Sequence, residues 1–199
     1  MGRRNDHSRE EIREMALNAG LELLEVEGIA AVSARKIAAR IKYTVGTLYL
    51  VFENLDDLIL QINLRTLNLM RERIRGCIDA DLEPVQQLKR MAVVYLKFAQ
   101  QHENRWRLVY EHASEIRNEI YDEYMHVSAS MLMLEENQLG KLDQDDGLTV
   151  EKQARALWGG VHGICILSLS GKLHHGDVPI SEMTDLLIDQ FVYGFKGQA

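Results

Sequence analysis

Along most of this chain apolar residues recur at intervals of three and four. The strict alternation of a half-buried strand is nearly absent, so the pattern predicts an all-α fold. Ile12, Met15, Ala16, Ala19, Leu23 and Val26 mark a first helix, opened by a capping box of Ser8 and Glu11 and closed by Gly28 as a left-handed cap. Ser33 is placed to cap a second helix with Ile37, Ala38 and Ile41 on its inner face, and Thr44 a third that carries Leu48 and ends near Phe52. Asn54 or Leu55 opens a long fourth helix to about Arg75, with Leu58, Ile59 and Ile62 inward and Asp56 and Asp57 at its positive end.

Pro84 suits the first position of a fifth helix, whose face is Leu88, Met91, Ala92, Tyr95, Phe98 and Ala99. A break at 102–104 precedes a short run from Trp106 to Glu111, and Ile120, Tyr124, Val127, Met131 and Leu134 mark the next long helix. After a polar loop from Leu139 to Leu148, Thr149 starts a helix with Ala154, Leu157, Trp158, Val161, Ile164 and Cys165. Ser181, following Pro179, starts the last, with Met183, Leu187, Phe191 and Phe195 on its face.

Between the second and third helices, Lys42, Tyr43 and Thr44 make a tight polar break, which is helix-turn-helix spacing: one helix braces another whose first residues can enter a major groove. Charge sharpens this. Arg35, Lys36, Arg40 and Lys42 are basic, and no Asp or Glu occurs from Ser33 to Phe52. In a chain of net charge -7 that gap is informative, because carboxylates would repel phosphate. A solvated basic helix of an ordinary bundle would carry the same charges. The sequence pI of about 5.5 excludes a general nucleic-acid coat, so any binding is local.

At 199 residues, 46% hydrophobic and 27% charged, the chain can bury a real core. Cys77 and Cys165 stand far apart and form no paired motif, which suits a reducing cytoplasm. Neither a signal peptide nor a membrane-spanning run is present, so a cytoplasmic protein without membrane contact is expected. Met1 to His7 reads as an arm carrying Arg3 and Arg4.

The run Ile-Ala-x-x-x-x-x-Thr-x-Gly-Thr-Leu-Tyr-x-x-Phe from Ile37 to Phe52, followed by Asn54-Leu-Asp-Asp-Leu58, resembles the DNA-binding domain of TetR/AcrR transcriptional regulators. It departs from the usual pattern at Lys42 (turn glycine), Val45 (lysine) and Val51 (histidine). A second likeness, to the subset of that family with a Trp-Gly-Val-His-Gly segment, rests on Trp158-Gly-Gly-Val-His-Gly163. The resemblance implies a three-helix head over 1–52 and a larger helical ligand-binding and dimerising domain over 53–199. It implies a ligand-responsive dimeric repressor that binds a pseudo-palindromic double-stranded operator, pairs through its last two helices, and is released by a small-molecule effector. Arg35, Lys36, Lys42 and Thr44 would then serve phosphates, Tyr43, Val45 and Thr47 base edges or methyls, and Tyr49 either. Tyr95, Trp106, Tyr110, Met131, Trp158 and His162 are candidates to line the effector cavity.

Gly159, Gly160 and Gly163 lie within one predicted helix, where each costs about 1 kcal/mol relative to alanine; close helix approach is the usual compensation. His162 is a candidate ligand contact or a histidine satisfied within the core or dimer seam. The run Asp143-Gln-Asp-Asp-Gly147 fails as a calcium loop, since its glycine is one place early and Ala154 stands where a bidentate glutamate is needed. Neither a metal site nor a cofactor is expected, as no Cys or His stands at zinc spacing and His174 and His175 are adjacent. Two other functions stay open: a helical adaptor whose basic stretch meets an acidic partner, and a helical-bundle enzyme using Cys165 and His162. A non-enzymatic regulator is the expectation.

Overall fold

In the computed structural model the described residues are 7–142, 149–173 and 179–196, and they contain helices and turns without a strand. The helices are α1 (Arg9–Glu27), α2 (Ala34–Arg40), α3 (Val45–Leu48), α4 (Leu55–Arg75), α5 (Pro84–Gln101), α6 (Glu103–Glu111), α7 (Glu119–Leu139), α8 (Val150–Leu169) and α9 (Ile180–Lys196). No helix among these residues is long and apolar enough to cross a membrane. Contacts divide the chain into one compact unit of Met1–Asn68 with Asn104–Met125, and a second of Leu69–Glu103 with His126–Ala199. The first unit is wider than a head ending at Phe52, because Leu58 and Ile62 of α4 and Leu108 of α6 share the apolar cluster of α1 to α3.

That first unit is built from locally explicable ends. Ser8 caps α1, its hydroxyl accepting from the Glu11 amide while Glu11 accepts from the Ser8 amide. Gly28 ends α1 with φ 85° and ψ -179°, so it is a positive-φ cap with extended ψ rather than the expected left-handed helical one; its N–H still reaches the Leu24 carbonyl at 3.1 Å. Gly20 lets α1 close on α4: a methyl there would stand 2.6 Å from Ile62 Cδ1. At the start of α4, Asn54 Oδ1 accepts from the Asp57 amide and Asp57 Oδ2 from the Glu53 amide, each at 2.9 Å. Asp57 is buried, and its other oxygen accepts from Gln61 Nε2 at 2.8 Å. Gln61 Oε1 in turn accepts from Arg13 of α1 at 3.1 Å. The expected break before α6 contracts to His102 alone.

In the second unit α5, α8 and α9 pack on one another. Pro84 takes the first turn of α5, and the whole predicted face of that helix is buried. Thr149 caps α8 as expected. Two predicted faces are corrected. The buried residues of α9 are Thr184, Ile188 and Val192, one position on from Met183, Leu187 and Phe191, which are half-buried; Leu186 and Tyr193 are exposed. Apolar side chains on both sides of this helix blur the sequence register. Of the α7 positions Ile120, Tyr124, Val127, Met131 and Leu134, Val127 alone is buried, joined by Gln138 and Leu139. The Asp143–Gly147 segment, His174, His175 and the arm arginines lie outside the described residues. Among the described residues no group of His, Cys, Asp and Glu is arranged to hold a metal ion.

Candidate functional site

The second half of the helix-turn-helix is shorter than its apolar spacing predicts. Thr44 caps it, its Oγ1 accepting from the Thr47 amide at 3.2 Å, but α-helix extends over Val45–Leu48 alone. Beyond Leu48 the amides of Leu50 and Val51 bond three residues back, to Thr47 and Leu48, a 3₁₀-like tightening. This turns Val51 and Phe52 inward beside Leu48, at 6%, 3% and 0% exposure. Val51, where the resembled pattern carries histidine, is therefore core in this protein.

The turn itself is a Schellman motif. The Tyr43 amide reaches the Ala38 carbonyl at 2.9 Å and the Lys42 amide the Ala39 carbonyl at 3.2 Å, which places Lys42 at the left-handed position with φ 61°. Glycine is the ordinary occupant there because a Cβ crowds the carbonyl.

Of the predicted contact residues, Arg35, Lys36, Lys42, Thr44 and Tyr49 are exposed, while Tyr43, Val45 and Thr47 are half-buried. Tyr43 and Val45 pack against the apolar cluster, and the Tyr43 hydroxyl pairs with His7 Nδ1 at 2.7 Å. Lys36 is held by Glu27 at 2.7 Å and Arg40 by Glu22 at 3.2 Å, both pairs reaching back to α1. No carboxylate among the described residues pairs with Arg35 or Lys42, so theirs are the uncommitted charges of this surface. Gly46 is exposed, and a methyl there would meet only Thr44 Oγ1, at 3.7 Å. The protein itself thus has no steric need for glycine at that position.

The six candidate cavity residues divide between the units. Trp106 and Tyr110 belong to the first, their rings 4.9 Å apart, with Trp106 buried. Tyr95, Met131, Trp158 and His162 belong to the second. There the Tyr95 hydroxyl and His162 Nδ1 are 2.6 Å apart, and Trp158 stacks on the His162 ring at 4.9 Å with 20° between planes. Burial lowers the His162 pKa below that of a free imidazole, favouring the neutral ring. Met131 is half-buried on α7.

Cys165 is buried, and desolvation pushes its thiol up to about 12, which keeps it protonated rather than nucleophilic. Cys77 is buried too, and its thiol is raised for the same reason.

Two features escaped the sequence. Asp56 binds the segment after α6, accepting from Ser114 Oγ at 2.8 Å and the Glu115 amide at 3.2 Å, with His112 Nε2 also 2.8 Å away. Nothing in the local pattern marks these long-range partners. Glu135, on α7, keeps its Oε2 shut away from solvent with no hydrogen-bond partner. Its signal was legible: a glutamate one turn after Met131, inside an apolar stripe.

Residues 16–62 match the family described as bacterial regulatory proteins, tetR family, and residues 88–191 match the tetracyclin repressor-like C-terminal domain. The chain belongs to the TetR family. It is a transcriptional regulator with a helix-turn-helix DNA-binding domain and a C-terminal ligand-binding domain. A protein of unknown function from Rhodococcus sp. RHA1 has a similar fold, with TM-score 0.77 and 17% identity over 98% of the regulator and 99% of that chain. A TetR-like transcriptional regulator from Rhodococcus sp. RHA1 aligns over 100% of both chains at TM-score 0.64 and 22% identity. The multidrug binding protein EbrR, complexed with imidazole, aligns over 90% of the regulator and 93% of its own length at TM-score 0.60 and 20% identity. A comparison with curated proteins finds no significant match.

Proposed function

We propose that this TetR regulator is a dimeric repressor, that residues 1–52 hold its operator-contacting head, and that a small molecule bound within the C-terminal domain releases it. The observation that carries the DNA reading is the exposed face of segment 33–52, which itself has no Asp or Glu: Arg35 and Lys42 have no carboxylate partner among the described residues, and Thr44, Gly46 and Tyr49 are exposed with them. Arg35 and Lys42 serve phosphates, and Lys36 joins them by exchanging Glu27 for the backbone. Thr47 and Tyr49 are the first candidates for base contact. Tyr43 and Val45 do more to seat the turn, since both are half-committed to the core.

Dimerisation through α8 and α9 is supported by what those helices leave uncovered. Ile166, Leu167, Leu186 and Tyr193 are 41–70% exposed, an unusual set of large apolar side chains for two adjacent helices. Gly160 is explained within one subunit, since a methyl there would stand 2.7 Å from Leu187; at Gly159, Gly163 and Gly194 nothing lies within 4 Å. Those three glycines suit close approach by a second copy. For the effector, the Tyr95–His162–Trp158 group supplies aromatic side chains in the C-terminal domain, and EbrR, of similar fold, is a multidrug binding protein complexed with imidazole.

Selection from a random DNA pool tests the proposal. The full-length protein is expected to enrich a palindromic site, and the Thr47→Ala/Tyr49→Ala double variant, equally folded, to lose it. Enrichment of the same site by both proteins would remove those residues from base readout. No enrichment by either at moderate salt would overturn the operator reading.

A further inference from the structure

Glu135 lies on the stripe Val127, Met131, Glu135, Leu139, spaced by four along α7, whose two end members are buried. The residue as a whole is half-buried, yet its Oε2 is out of contact with solvent and has no hydrogen-bond donor. Neither Lys nor Arg pairs with it; the charge acting on it is that of Glu136, of the same sign. Removing a carboxylate from water without a partner is costly, and natural proteins ordinarily supply a cation or several donors. This one has neither among the described residues. Burial accordingly raises its pKa to about 8, so at neutral pH it stands largely as the neutral acid.

We propose that the Glu135 carboxyl is the recognition group for an effector that is cationic, an apolar body bearing a basic nitrogen. This rests on the proposed effector role of the C-terminal domain and specifies the chemistry accepted there. Met131, one turn earlier on the same stripe, would meet the apolar body, while the nitrogen supplies the opposite charge and hydrogen-bond donors that Oε2 lacks. A neutral molecule of the same shape would leave the acid as it is and gain only the apolar contact. Because the acid must ionise to pair with a cation, binding at neutral pH would expel its proton to solvent.

The test is isothermal titration of the full-length protein at pH 7 with 4-phenylbutylamine and with 4-phenylbutan-1-ol, each in two buffers of different ionisation enthalpy. The amine is expected to bind at least tenfold more tightly than the alcohol and to release close to one proton. Glu135→Gln is expected to erase both the preference and the release, so that amine and alcohol bind it with similar affinity; Glu135→Asp should keep part of the preference. An amine that binds no better than the alcohol, or a preference that survives in Glu135→Gln, would overturn the assignment. Binding of the alcohol to all three proteins in that case would leave the effector reading standing, and the DNA selection judges the operator reading separately.

Discussion

Lys42 sets a conformational cost against its proposed role at phosphate. Its φ of 61° puts a Cβ-bearing residue at the left-handed position of a Schellman motif, a conformation that costs about 1–2 kcal/mol for an L-residue. Lys42→Gly is therefore expected to raise unfolding stability by about 1 kcal/mol, read as a higher urea midpoint at unchanged slope. The same change removes an unpaired charge from the proposed DNA surface, so the salt dependence of operator binding should flatten by about one unit per subunit. Glu135 gives a second prediction of known sign. Its folded pKa of about 8 lies above the ordinary 4.5, so the folded state holds the extra proton between those values. Its stabilising contribution is complete below about pH 4.5 and declines as pH rises to about 8, each tenfold difference in proton affinity between folded and unfolded chain being worth about 1.36 kcal/mol. Glu135→Gln should abolish that part of the slope in denaturant titrations from pH 5 to 8; parallel curves for the two proteins would show that the carboxyl titrates normally.

Among the helices, α8 separates two reasons for glycine. Gly160→Ala drives a methyl against Leu187 of α9 and is expected to destabilise the subunit by about 1–3 kcal/mol unless Leu187 changes rotamer. Gly159→Ala meets nothing in the subunit and should instead gain up to about 1 kcal/mol from helix propensity. If that gain appears in thermal unfolding of the dissociated protein while dimer affinity falls, the glycine serves the seam between copies. The start of α4 illustrates a different economy. Asp56 and Asp57 are adjacent in sequence, and both suit a helix N-terminus. Asp57 turns inward to close a chain of hydrogen bonds through Gln61 to Arg13, whereas Asp56 turns to His112, Ser114 and the Glu115 amide.

For the whole molecule, the proposed dimer makes symmetry the governing consideration. A single head with a four-residue α3 offers a small contact surface, so specific binding would draw on two heads held at a spacing that matches successive major grooves. Leu186→Glu/Tyr193→Glu places two charges on the exposed face of α9 without touching its buried residues Thr184, Ile188 and Val192. The subunit should stay helical by circular dichroism, sediment as a monomer, and bind operator at least a hundredfold more weakly. A dimer that persists would move the interface elsewhere. The effector, in turn, can act only through unequal affinity for the operator-competent and incompetent states, so coupling is measured by operator titration with and without ligand.

What the sequence determined by itself was whatever depends on near neighbours. Helix caps at Ser8, Ser33, Thr44 and Thr149, the proline start of α5, and the buried face of that helix are set by hydrogen bonds and periodicity within a few residues. The helix-turn-helix motif was legible for the same reason, and with it the family. Tertiary structure decided what depends on partners distant along the chain. It truncated α3, because Val51 and Phe52 are drawn into the core, and it shifted the inner face of α9 by one residue because that helix has apolar side chains on two sides. It divided the six aromatic, methionine and histidine candidates between two units, and it left Glu135 Oε2 shut away from solvent without a partner among the described residues. Burial and pairing are sums over neighbours that the chain brings together only on folding, so periodicity can say that a position faces inward but not what it meets there.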